Sequence, residues 1–177
     1  VDDFNAQLAA NCADLTGAED WSLEKIEESL KSVYDEFMEL HTLASELMRK
    51  ATTFLPEPSD SVTSTDEDAL RKTVTKGRDY LVAFQPPYIR MTSLRDNWLK
   101  LLGIHESKKP RQSEKQKKSL FSRRRRSTDQ SVRLFMARSI DLEIYLSVLQ
   151  FENKKNLETV YRYRDIGLLS PSGFGSL

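Results

Sequence analysis

Cysteine, glycine and proline are scarce in this chain, and each scarcity removes a class of protein. Cys12 is the one cysteine, so an intramolecular disulfide and a thiolate zinc cluster are both excluded. That usage points to a reducing, intracellular compartment, nuclear or cytoplasmic. Six glycines and six prolines among 177 residues cluster where segments would end, which leaves long uninterrupted stretches and little room for strands. No run approaches the ~20 apolar residues that span a bilayer, so no membrane span is expected. Val1 leads into Asp2 and Asp3 rather than a basic-then-apolar leader. Without an initiator Met, the chain is expected to be a piece of a longer protein.

Chemistry-bearing motifs are equally thin. His41 and His105 lie far apart, with no second ligand type at metal spacing beside either. No neighbouring base is nominated for Cys12, which reads as a small core residue. The sequence has no glycine-rich phosphate cradle, no His-Glu-x-x-His and no Gly-x-Ser-x-Gly. Paired carboxylates such as Glu27-Glu28 and Asp35-Glu36 would point about 100° apart on a helix, toward solvent. We therefore expect no catalytic residue, no metal, no cofactor and no enzyme activity.

What is abundant is charge. Charged residues make up 31% against 38% hydrophobic, a balance that favours helices with solvated outer faces. The 27 acids and 27 bases cancel, yet they are segregated. Residues 1–70 hold 17 acids and 4 bases, whereas residues 108–126 hold 10 bases and one acid. Such polarity suits an acidic partner or a nucleic acid, or a basic loop resting on an acidic helix.

Apolar spacing then sets the architecture. Phe4, Leu8, Cys12 or Asn11, and Leu15 predict a short amphipathic helix stopped by Gly17. From a Ser22 cap to Pro56 the line Leu23, Ile26, Leu30, Val33, Phe37, Leu40, Ala44, Leu47, Ala51, Phe54 alternates steps of three and four, a coiled-coil-like heptad seam. Residues 56–66 read as a flexible loop. A helix is expected from about Thr65, with Ser64 and Glu67 at capping-box spacing, on the line Leu70, Val74, Gly77, Leu81, Phe84. Pro86-Pro87 should break it and restart a helix over 87–102, carrying Tyr88, Met91, Trp98 and Leu102 and closed by Gly103.

Residues 105–128 are basic with little to bury, so a disordered insert is expected. The last helix, from Asp129 to about Arg164, has a seam of Val132, Phe135, Leu142, Leu146, Leu149, Val160 and Tyr163. Leu134, Ile140, Ile144, Val148 and Phe151 widen it, as in a bundle's central helix buried by several neighbours. Gly167 and Pro171 end it, and 165–177 reads as a loose tail. The fold class is therefore all-α: one domain over 1–177, an antiparallel bundle of four to five helices with a long basic loop.

The functional expectation is a non-catalytic adaptor or scaffold that binds other helical proteins, as a hetero- or homo-oligomer. If the bundle leaves the first seam open, Leu30, Val33, Phe37 and Leu40 are its partner surface, with Trp98 a further anchor. The basic loop offers Lys108, Lys109, Arg111, Lys117, Lys118, Arg123, Arg124, Arg125 and Arg126 to an import receptor. Ser127 and Thr128 follow arginines at the spacing basophilic kinases prefer, and a phosphate there would lift the loop from the acidic helix. The alternative is electrostatic binding of nucleic acid or an anionic membrane surface through 108–126; Phe121 is the one aromatic there, so such binding would be nonspecific. Finally, residues 159–171 resemble the second helix and start of the wing in MerR-type transcription regulators. That likeness spans 13 residues, lacks the helix-turn preceding them in that family and stops where the wing would continue, so it implies neither fold nor function here.

Overall fold

The structure, a computed structural model, describes residues 15–57, 67–108 and 122–170, with side chains of the last segment described from 130 onward. Among the described residues there are three long helices, one 3-10 turn over Ala18–Asp20 and no strand. We label the helices α1 (Leu23–Phe54), α2 (Glu67–Ser107) and α3 (Ser122–Asp165). The class is all-helical, as expected. The amphipathic segment before Leu15, the Ser64 cap and Pro171 lie outside the described residues.

Several boundaries follow the chemistry read from the sequence. Gly17 takes a left-handed φ of 73° before the 3-10 turn. Ser22 caps α1, its Oγ accepting the Lys25 N–H at 3.2 Å. At the far end Gly167 has φ 78°, its N–H bonding the Arg164 carbonyl at 2.9 Å and the Leu168 N–H bonding the Tyr163 carbonyl at 3.0 Å. Those two bonds form a Schellman cap, which a glycine's freedom at positive φ permits.

Others do not. Pro86 and Pro87 sit inside one continuous α2, and Gly103 does not end it. Each proline removes an N–H, leaving the Val82 and Ala83 carbonyls without their intrahelical donors. Flanking side chains anchor the helix beside that gap: Phe84, Pro87 and Met91 are buried, and Gln85 Nε2 donates to the Leu81 carbonyl at 3.2 Å and to Asn153 Oδ1 at 3.3 Å. The last helix likewise starts at Ser122, earlier than the expected Asp129, and His105 belongs to the final turn of α2 rather than to an insert. The expected loose tail begins later too, since Leu168 and Leu169 are buried and the Leu168 carbonyl accepts from Arg71 Nη1 at 2.9 Å.

The chain packs as two compact units, residues Val1–Met38 with Thr92–Ile144 and residues Glu39–Met91 with Tyr145–Leu177. In the first, Trp98 is fully buried; Phe135 meets it edge-on with ring centres 5.9 Å apart, and Tyr34 tilts toward it at 5.9 Å. Its indole N–H donates to Ser139 Oγ at 2.7 Å, and Ser139 donates in turn to the Phe135 carbonyl at 2.9 Å. A buried indole needs such an acceptor, because an unmade bond there would cost about 1–3 kcal/mol. Ile26, Leu30, Phe37, Leu94 and Leu142 are among the other buried residues of this core.

In the second unit Ala44, Met48, Ala51 and Leu55 of α1 and its end are buried, as are Val74, Leu81 and Phe84 of α2 and Leu149, Val160 and Tyr163 of α3. A Cβ on Gly77 would lie 2.6 Å from Leu55 Cγ and 3.0 Å from the Phe54 carbonyl, so only glycine admits this approach. Here α1 departs from the heptad line: Met48 and Leu55 are buried, while Leu47 and Phe54 are half-buried. A straight helix at 3.6 residues per turn drifts from a 3.5 repeat by about 20° per heptad, and by the second half of α1 the core has passed to the next residue.

Candidate interaction face

The first seam is consumed inside the chain. Leu30, Val33 and Phe37 are buried and Leu40 is half-buried, so the condition under which they would meet a partner does not hold. Trp98 is a core residue of the same unit. An exposed apolar surface is found instead on α3, in the residues expected to widen its buried seam. Ile140 is 59% exposed, Ile144 52%, Val148 51% and Phe151 71%, which corrects the reading of α3 as a helix buried on several sides.

Helix geometry explains the split. At about 100° per residue, Phe135, Leu142, Leu146 and Leu149 fall on one side, while Ile140, Ile144, Val148 and Phe151 gather within about 80° of each other on the other. Neighbours cover the first set and leave the second in solvent. Polar contacts mark the boundary. Tyr34 Oη lies 3.5 Å from Asp141 Oδ2, and Arg95 Nη1 bridges to Glu143 Oε2 at 3.2 Å. Within the second unit, a hollow of about 440 Å³ lies beside Val148 and Phe151, floored by Thr52 and Asn156. Asn156 is buried there, its Nδ2 donating to Thr52 Oγ1 at 2.9 Å, while Thr52 donates to the Met48 carbonyl at 3.0 Å.

The histidines sit in separate settings. His105 is fully buried, Nε2 placed 2.9 Å from Glu27 Oε1 and its ring edge-on to Phe135 at 5.3 Å. Because a carboxylate only accepts, Nε2 carries the proton, and Nδ1 is buried without a partner among the described residues. Sequence reasoning missed this pair, for nothing in local spacing links Glu27 to His105. His41 stacks on Tyr145 at 4.2 Å with Ser45 Oγ 3.3 Å from its Nε2, and burial pushes its pKa below the usual value. Among the described residues no three His, Cys, Asp or Glu gather as metal ligands, and no helix is long and apolar enough to cross a membrane.

Of the basic residues, Lys108 occupies the turn after α2, and Lys109, Arg111, Lys117 and Lys118 lie outside the described residues. Arg123, Arg124, Arg125, Arg126, Ser127 and Thr128 occupy the first two turns of α3, where a disordered insert was expected. Comparison with protein-family models, with curated proteins and with solved structures returns no match. The functional reading therefore rests on geometry and chemistry alone.

Proposed function

We propose that this chain is a non-catalytic helical module that joins other helical proteins through the outer face of α3. The observation that carries this reading is the exposed line Ile140, Ile144, Val148, Phe151. Single exposed apolar residues are ordinary, but a contiguous apolar stripe with a polar rim marks a partner surface. Its spacing of four, four and three is that of a helix laid against another helix. A photoreactive amino acid at Ile144 tests it: irradiation in cells should give a discrete protein adduct, with none from the same probe at exposed Lys72. Absence of any adduct at Ile144 overturns the reading.

The basic segment is proposed as a targeting or regulatory element. Phosphate on Ser127 or Thr128 would add negative charge close to the electropositive start of α3, which favours the helical first turns. One observation favours a second reading, nucleic-acid binding. Four consecutive arginines stand in the opening turns of α3, where the helix dipole gives cations no support and an external anion would. Titration of short DNA and RNA at two salt concentrations separates these. Salt-sensitive binding lost when Arg123, Arg124, Arg125 and Arg126 become Ser supports the second reading, and no binding at low salt removes it.

A further inference from the structure

We infer that the hollow beside Val148 and Phe151 takes the indole of a tryptophan carried on a partner protein's helix; this rests on the reading of the outer face of α3 as a partner surface. Every residue of the hollow belongs to the second unit. At its floor Asn156 is 4% exposed, and its Nδ2 is fully engaged, donating to Thr52 Oγ1 at 2.9 Å and to Met48 Sδ at 3.1 Å. Thr52 in turn donates to the Met48 carbonyl. Asn156 Oδ1, by contrast, accepts from no donor among the described residues. Asn97 Nδ2 and His105 Nδ1 are also without a partner there, but both are sealed from solvent. Asn156 lines the hollow, and its free oxygen opens into it.

One acceptor at the bottom of an apolar-walled hollow selects an apolar group tipped with one donor. An indole has a single N–H and no acceptor, so Oδ1 alone satisfies it. A phenol would bury an acceptor that neither Nδ2 nor Thr52 is free to meet, and an ammonium or guanidinium brings a charge and several donors that one neutral oxygen does not match. The rim carries one acid, Glu152, and one base, Lys155, both exposed, so no net charge draws an anion. Trp98 makes the same bond inside the chain, its indole N–H donating to the one oxygen of Ser139. The volume of about 440 Å³ lies within the ~300–1,000 Å³ of ligand clefts. Its lining runs over residues 147–156, about two and a half turns of α3, with Thr52 supplied by α1. A groove of that length between two helices seats a helix, and a large aromatic anchor in a pocket is how such contacts concentrate affinity.

Titration of the isotope-labelled chain with a short alanine-based helical peptide bearing one tryptophan tests this, followed by NMR at the Asn156 side-chain amide and the Val148 methyls. The expected result is saturable shifts at both residues, with a sub-millimolar Kd. Benzothienylalanine in place of the tryptophan keeps the bicyclic shape with sulfur for N–H, and should weaken binding about tenfold through loss of one hydrogen bond. Phe151→Ala, at a position 71% exposed, should weaken it by a similar factor, with an unchanged circular dichroism spectrum confirming the fold. Free N-acetyltryptophanamide should bind far more weakly than the peptide. Three results overturn the indole anchor: no shift up to millimolar peptide, equal affinity for the benzothienyl peptide, or shifts that leave Asn156 untouched. N-acetyltryptophanamide binding as tightly as the peptide overturns the helical partner and leaves a small-molecule site. A peptide that fails while the Ile144 probe still gives its adduct removes the anchor and leaves the partner surface standing. With neither, both fall.

Discussion

The two faces of α3 carry nearly the same side chains to opposite ends. Leu142 is buried without residual exposure and Ile144, two positions on, is 52% exposed. By composition they are interchangeable; by position one belongs to the core and the other to solvent. The difference teaches that apolar content on a helix establishes how much surface wants cover, whereas phase relative to the neighbours establishes which part receives it within the monomer. The remainder stays in solvent within the monomer.

The strongest way to break this comparison is to shorten both residues. Leu142→Ala should cost about 2–5 kcal/mol in denaturant unfolding, while Ile144→Ala should stay within about 0.5 kcal/mol for the monomer. Equal losses would show that the outer face is covered within the chain. A middle-sized effect is expected from the polar member of the buried face. Asn156→Ala removes the donor to Thr52 and should cost about 1–3 kcal/mol by the same measurement. A neutral outcome would mean that the buried face tolerates loss of its hydrogen bond.

The smallest effect lies at the margin of the two faces, where His41 stacks on Tyr145. Burial holds the folded-state pKa of His41 below 6.5, so the folded chain favours the neutral ring. Its contribution to stability is complete above that value and is lost as pH falls from it toward the lowered one. Melting temperature followed between about pH 8 and 5 should therefore decline on the acid side, and His41→Gln should flatten that decline. An identical acid limb in the variant would assign the decline elsewhere.

How much of this was readable from residues alone differs by element. The α1 core line was legible from Ile26 through Phe37 because side chains three and four apart share a face; it failed at its first member, Leu23, which is exposed, and slipped at Leu47 and Phe54 because a heptad template drifts against 3.6 residues per turn. The Schellman glycine at 167 was legible, since its signal is local. The unbroken passage through Pro86-Pro87 was not, because burial of Phe84 and Met91 overrides a local rule and appears only once other helices are in place. The His105–Glu27 pair was invisible for the same reason. The α3 stripe was seen and misassigned: periodicity reports amphipathic strength but not how many neighbours are present to use it.

Pro86 and Pro87 have a consequence for how α2 breathes. It is one continuous helix of 41 residues, yet its amide ladder has two missing rungs in succession. Hydrogen exchange reads that ladder. Fraying that begins at Glu67 meets a place where no amide remains to be broken, and opening from Ser107 meets the same gap from the other side. Exchange rates on the two sides of the prolines should therefore respond independently to a destabilising change on one side, giving one helix two separate records of protection.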